Sequence, residues 1–303
     1  MRPRQWLKNS LVFAAPLAAG DIFHLDILVP GILAFISFCL ISSSTYIVND
    51  LKDIEADRAH PLKRFRPIAA GELSVSVAVG VAIVLAIASL AIALAVNVGL
   101  LVVVLCYVAC TISYSMFLKH EPVIELVLIA LGFLLRAIAG GVASELPISR
   151  WFLIVAGFGS LFMAAGKRYS ELVRATETVE GGGSGPRLIR RASDTVEPGE
   201  HAPTMRRSLQ GYTHNYLRFV WAISAAVTIT AYCLWAFEVG LTPSTGPWAA
   251  CSVVPFVVGL LRYAIDVDKG EAEAPEDVVL HDPALIITGV AWLVLFALGA
   301  MGV

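Results

Sequence analysis

Apolar runs of about twenty residues alternate with short polar stretches along this chain, a period set by bilayer thickness rather than by one turn of an amphipathic helix. Eight such runs are clear: Ile27 to Val48, Val75 to Val96, Leu100 to Phe117, Val123 to Val142, Trp151 to Gly166, Phe219 to Phe237, Trp248 to Ala264 and Ala284 to Met301. A ninth, Leu7 to Gly20, is short and interrupted by Pro16. Its length alone fits either an interfacial segment or a tilted first helix. The pattern predicts an all-α polytopic membrane protein of about nine transmembrane helices in one domain, residues 1–303.

Basic residues decide the sidedness. If the first run crosses and the sides alternate from there, one face collects Arg2, Arg4, Lys8, Lys52, Arg58, Lys63, Arg64, Arg66, Lys119, Lys167, Arg168 and Arg174. The same face takes the basic residues from Arg187 to Arg218, with Arg262 and Lys269, whereas the other face keeps only Arg150. The positive-inside rule makes the crowded face cytoplasmic, with the N-terminus in and the C-terminus out; the plasma membrane is the expected location. Between 175 and 208, three consecutive glycines, three prolines and charges of both signs interrupt any apolar period. That stretch is expected to be a flexible cytoplasmic loop.

Composition agrees: 57% of residues are hydrophobic and only 15% charged, more apolar surface than a soluble domain needs to bury. The net charge of −2 gives no bulk attraction to nucleic acid. The five cysteines lie in or beside apolar runs without the partners of a metal site, and read as small apolar fillers. Glycine-rich helices are compatible with self-association.

The chemistry-bearing residues gather at the expected cytoplasmic ends. After the second run comes Asn49-Asp50-Leu51-Lys52-Asp53-Ile54-Glu55-Ala56-Asp57. On a continuing helix, Asn49, Asp50, Asp53 and Asp57 share one broad face. Clustered carboxylates repel one another unless a cation lies between them, and Mg²⁺ on carboxylates, waters and substrate phosphates is the natural one. A solvated acidic face is the competing reading. Lys63, Arg64 and Arg66 follow within a few residues and tilt the balance towards a diphosphate site. Lys8, Asn9, Tyr114, Lys119, Lys167, Arg168 and Glu171 are expected at the same level, together with Glu121, Glu125, Tyr212, Asn215 and Arg218 at helix starts. Arg136 differs. It falls some three turns into its run, where an ionisable group is costly and faces the bundle interior or a wet cavity, so a substrate-binding or site-supporting role is expected over a purely structural ion pair. A transporter would spread such charges over several mid-membrane positions, and only Arg136 is deep.

Asn49-Asp50-x-x-Asp53-x-x-x-Asp57 followed by Arg66-Pro-Ile-Ala-Ala-Gly71 resembles the first signature of the UbiA superfamily of intramembrane prenyltransferases. The stretches Arg2 to Asn9, His60 to Pro67, Leu135 to Gly141, Gly166 to Leu172, Tyr216 to Trp221, Leu234 to Glu238 and Arg262 to Asp268 are similar to a branch that transfers phosphoribose to polyprenyl (decaprenyl) phosphate on the way to cell-wall arabinan. The resemblance covers nearly the whole chain. It implies a UbiA-like bundle with a cytoplasmic-side active site, Mg²⁺ as cofactor, and phosphoribosyl diphosphate and polyprenyl phosphate as substrates. It further implies Asp50, Asp53 and Asp57 as metal ligands with Asn49 assisting, basic residues as phosphate clamps, and Glu171 as an acceptor from ribose hydroxyls. One departure matters. Where superfamily members carry a second Asp-rich motif, this chain has Lys167-Arg168-Tyr169-Ser170-Glu171, which argues against an ordinary isoprenyl diphosphate donor. The Gly-rich insert after Arg174 is a second departure.

Overall fold

The computed structural model describes residues 3–59, 63–118, 121–180, 209, 211–240, 246–272, 278–279 and 281–302. The described residues are helical throughout, apart from turns and short connections. A 3-10 helix, Pro3–Phe13, runs into α1, Ala14–Ala19. There follow α2 (Leu25–Lys52), α3 (Ile54–Ala59), α4 (Val75–Val96), α5 (Val98–Ser113), α6 (Pro122–Ala143), α7 (Arg150–Glu180), α8 (His214–Gly240), α9 (Trp248–Asp268) and α10 (Pro283–Ala300).

Seven of the nine expected segments are helices long and apolar enough to cross a membrane, among the described residues. The other two take different forms. The Trp151–Gly166 run lies inside α7, a 31-residue helix of about 46 Å. That helix carries 175–180 as well, so the loop expected from residue 175 begins no earlier than 181, and 181–208 lies outside the described residues. The first run is mostly 3-10, which rises about 2.0 Å per residue. Pro3–Ala19 therefore extends about 31 Å, close to a hydrocarbon core of about 30 Å. It packs on α2 and α6.

Small residues face inward and large ones outward, the reverse of a soluble core. Ala34, Ala78, Ala82, Ala93, Ala139, Ala164 and Ala165 are buried, while Val77, Ile83, Val84 and Ile87 of α4 are exposed. With lipid outside, no hydrophobic drive pulls helices together, so close backbone approach and polar contacts between helices must hold them. Both occur between α2 and α4: the Ser37 and Ser89 hydroxyls lie 2.9 Å apart, and Ser44 donates to the Ala82 carbonyl at 2.8 Å. Asn97 ties three ends together. Its Oδ1 accepts from Leu100 N at 2.7 Å, capping α5, and its Nδ2 donates to the Val142 and Ala143 carbonyls ending α6.

Of three buried clusters, α6 belongs to the two larger ones. Val12, Phe38, Leu100, Val104, Tyr107 and Ala139 form one; Leu126, Phe162, Leu217, Tyr263 and Val267 form the other. The two halves also meet at the far edge. Gly20 turns the chain at φ +79°, and a Cβ there would lie 2.4 Å from the Ala300 carbonyl oxygen of α10. At Gly140 a Cβ would lie 1.8 Å from the Val12 carbonyl oxygen, so the first segment can seat on α6 only where no side chain stands. Gly140→Ala is expected to cost about 3 kcal/mol or more through forced backbone displacement. A lowered melting temperature of the detergent-purified protein would report it, and an unchanged one would contradict this packing.

Candidate active site

The aspartate segment does not continue as one helix. α2 stops at Lys52, Asp53 leaves helical geometry at φ −95° and ψ 14°, and α3 resumes at Ile54. Two bonds bridge the interruption: Asp53 N donates to Asn49 O at 3.0 Å and Asp57 N to Asp53 O at 2.8 Å. The i, i+4 spacing therefore survives, and Asn49 Nδ2 lies 3.4 Å from Asp53 Oδ2.

After α3 the chain folds back over this segment. Ile68 inserts among Ile47, Ala78, Ala82 and Leu85, and Gly71 closes the return at φ +81°. Arg58 Nε grips the Ala69 carbonyl at 3.0 Å. The return brings Arg66 onto the aspartates: its Nη1 lies 2.6 Å from Asp57 Oδ2 and 3.0 Å from Asp50 Oδ1. Asp57 is buried, with Asp50 and Arg66 partly exposed. One cationic nitrogen thus bridges two carboxylates from two helices. Among the described residues, no three acidic, histidine or cysteine side chains converge on a single point as a complete metal cage. The donor set still fits Mg²⁺, which dehydrates reluctantly and is usually held by one or two carboxylates together with waters and substrate phosphates.

A second cluster surrounds Arg168. The end of α5 widens into a π-turn, Tyr114–Leu118, a geometry that frequently marks functional sites. Lys52 donates to the Ser115 carbonyl, tying this turn to the aspartate segment. Tyr114 donates from its hydroxyl to Glu125 Oε1 at 3.3 Å. Arg168 Nη2 binds the same oxygen at 2.7 Å, and its Nη1 pairs with Glu171. The Arg168 and Glu125 side chains are only 3% and 1% exposed. Tyr212 donates to the Pro122 carbonyl, and burial, with Glu125 close by, pushes its phenol upward so that it stays a donor.

The third feature is deeper. Arg136 donates from Nε to Asn9 Oδ1 at 2.7 Å, from Nη1 to Gly132 O at 2.7 Å and from Nη2 to Tyr107 Oη at 2.8 Å, with its guanidinium 4.6 Å from the Tyr107 ring centre. Asn9 Nδ2 in turn reaches Cys39 Sγ and Ser42 Oγ, each at 3.3 Å. Arg136 is therefore a neutral-partnered junction of the first segment, α5 and α6, with no ion pair among the described residues.

Of the remaining sequence candidates, Lys8 bonds Gln5 Oε1 at 2.7 Å, Lys63 and Lys167 are partly buried, and Arg64 is exposed over the Phe65 ring. Lys119 lies outside the described residues. Arg168, read from sequence as a phosphate clamp, spends its guanidinium on two carboxylates in this structure. Glu125, expected from the sequence only at a helix start near the site, is the buried carboxylate that pairs with Arg168. The signal was there: like Arg136, it is an ionisable residue inside an apolar run.

Arg136→Met is expected to leave Asn9 and Tyr107 facing one another without their common donor. Loss of about 2–4 kcal/mol follows from a broken buried polar network. Melting of the purified variant measures it; a melting temperature within a degree of wild type would contradict the junction.

The family model described as UbiA prenyltransferase family matches residues 10–176. The chain is 43% identical over 304 residues to decaprenyl-phosphate phosphoribosyltransferase of Mycolicibacterium smegmatis, covering 97% of this chain and 88% of that one. It is 44% identical over 297 residues to the protein of the same name in Mycobacterium tuberculosis, covering 97% and 90%. Among solved structures, a UbiA homolog from Archaeoglobus fulgidus bound to GPP and Mg²⁺ superposes with a TM-score of 0.64 at 18% identity, over 100% of this chain and 98% of that chain. A UbiA homolog from Aeropyrum pernix K1 gives 0.63 at 16%, over 97% and 98%. At those identities the structures speak for the fold alone. The helical bundle, the signature on α2 and α3 and these relatives together establish that the chain belongs to the UbiA prenyltransferase family.

Proposed function

We propose that this protein transfers 5-phosphoribose from phosphoribosyl diphosphate to a polyprenyl phosphate, decaprenyl phosphate in its named relatives, and releases diphosphate. The observation that carries the reading is the Asp50–Arg66–Asp57 bridge, set in a chain 43–44% identical over 97% of its length to proteins named for that reaction. Carboxylates and a guanidinium held on one spot at a helix end suit a metal-loaded diphosphate better than any neutral ligand.

In this reading Asp50, Asp53 and Asp57 hold Mg²⁺, directly or through its waters, with Asn49 fixing Asp53 by the contact described. The bound ion supplies charge neutralisation of the departing diphosphate. Arg66, held on Asp50 and Asp57, would take up part of the leaving group's growing charge. An oxygen of the lipid phosphate attacks C1 of the ribose as the C1–O bond to diphosphate breaks, so inversion at C1 is the expected stereochemistry. The attacking group is already an anion, and no general base is required. The chain's task is in-line alignment of two phosphate-rich partners and exclusion of water from C1. Lys8, Lys63, Arg64, Lys119 and Lys167 are the candidates for the donor's 5-phosphate and the lipid phosphate. A face towards the cytoplasm admits the soluble donor, while the lipid arrives from the bilayer.

Purified protein in detergent, given radiolabelled phosphoribosyl diphosphate, polyprenyl phosphate and Mg²⁺, is expected to label the lipid. A chelator is expected to abolish transfer, and Asp53→Ala to lower kcat/KM by about a hundredfold or more. Arg66→Gln is expected to reduce kcat by about ten- to a hundredfold and to lower the melting temperature as well, since the buried Asp57 carboxylate loses its cation. Consumption of an isoprenyl diphosphate with an aromatic acceptor, and no lipid labelling, would sink the phosphoribosyl assignment.

A further inference from the structure

Arg66 holds two carboxylates through one atom. Its Nη1 lies 2.6 Å from Asp57 Oδ2 and 3.0 Å from Asp50 Oδ1, oxygens that belong to different helices. A directly bound Mg²⁺ approaches a carboxylate oxygen to about 2.1 Å. On Asp57 Oδ2 it would share one oxygen with a guanidinium nitrogen 2.6 Å away, and positive charges so close repel. The arginine and the ion therefore compete for the same carboxylate edge.

Of the two partners, the arginine is the one that can yield. The Asp57 side chain is 4% exposed and that of Arg66 28%. The Arg66 backbone is fixed on both sides, its N–H donating to Lys63 O at 3.0 Å and its carbonyl accepting from Ala70 N at 2.8 Å. Just beyond it Ile68 is buried, and Arg58 Nε holds the Ala69 carbonyl. Displacement is thus confined to the Arg66 side chain. It strips a cation from a buried carboxylate, which is costly unless both sides are compensated together. A diphosphate compensates the arginine, because phosphate oxygens match a guanidinium as carboxylates do. A divalent ion compensates Asp57. The ion by itself gains little here. Among the described residues no three acidic, histidine or cysteine side chains converge on one point, so an octahedral ion must take its other ligands from water and phosphate.

We infer that Arg66 couples the two ligands of this site: it guards Asp57 against a lone divalent cation and gives way when a diphosphate arrives with one. This rests on the metal-loaded diphosphate reading above and deepens it by setting the order of entry. Such coupling is reciprocal, so the factor by which diphosphate raises Mg²⁺ affinity is the factor by which Mg²⁺ raises diphosphate affinity. With Arg66 between them, the complete assembly is favoured over either half.

Equilibrium dialysis of the full-length protein in detergent against Mn²⁺, used in place of Mg²⁺, reads the competition without turnover. Arg66→Gln is expected to bind Mn²⁺ about tenfold or more tightly than wild type when no diphosphate is present. Adding Asp57→Asn to that variant is expected to abolish the gain. Melting curves read the coupling. Mg²⁺ with inorganic diphosphate is expected to raise the wild-type melting temperature by more than their two separate shifts combined. In Arg66→Gln, Mg²⁺ alone is expected to supply most of that rise. Wild type that binds Mn²⁺ as tightly as Arg66→Gln, shifts in wild type that merely add, or a gain that survives Asp57→Asn overturns the inference and leaves the reaction standing. Should Arg66→Gln fail to fold, the wild-type melting curves decide alone. Synergy with Mg²⁺ and an isoprenyl diphosphate, but none with phosphoribosyl diphosphate, overturns the phosphoribosyl assignment and leaves the coupling through Arg66 in place.

Discussion

A guanidinium buried among neutral acceptors holds the front half of this bundle in register. Hydrocarbon outside offers no reward for bringing helices together, and every unmet polar group inside is costly. Arg136 answers both conditions by donating to the first segment, to α6's own backbone and to the tyrosine of α5. Asn9 extends the junction to α2 through Ser42 and Cys39. The aspartate segment is the cytoplasm-expected continuation of that same α2, about two turns beyond Ser42. Its place relative to α5 and α6 is therefore inherited from contacts far below it. Placing charge at depth is affordable here because the acceptors are many and neutral, which leaves the carboxylates at the face for other partners.

Much of this could be read in the amino-acid order, because bilayer thickness and carboxylate spacing are one-dimensional signals. The runs from Ile27 to Met301 became helices near their expected bounds, and Asp50, Asp53 and Asp57 kept their mutual spacing. Three things were not legible. The helix break at Asp53 follows from the fold-back of the chain through Arg66 to Gly71, a tertiary event. The 3-10 form of Pro3–Phe13, whose Val12 carbonyl sits against Gly140 over a hundred residues away, leaves no local signal of that contact. The partner of Arg168 is Glu125, forty-three positions off, and nothing in the local Lys-Arg-Tyr-Ser-Glu pattern announces that the arginine is spoken for.

Charge is also sorted by depth and by sign. Around Arg66 two carboxylates share one partly exposed cation that a diphosphate and its metal would displace or recruit. Around Arg168 two carboxylates share one cation whose side chain is only 3% exposed. The same three-charge composition thus occurs twice, once with a partly exposed cation and once with a buried one. The π-turn after α5 lies between the two, touching each through one residue: Ser115 on one side, Tyr114 on the other.

The seam between Gly20 and Ala300 has a consequence for assembly. The two residues are 280 positions apart, yet their backbones touch. At ordinary synthesis rates the helix that seals the seam emerges on the order of 15–60 s after the segment it seals against. During that interval the first half of the bundle must stand on its own junctions, with its inner, small-residue surface open to lipid along one side. Long-range closure of this kind is slow and adds little stability per residue spanned. The early junction of Arg136 with Asn9 and Tyr107 is complete by residue 136, well before that seam can form. Nascent chains therefore acquire the geometry of the aspartate face first and their closed outline last.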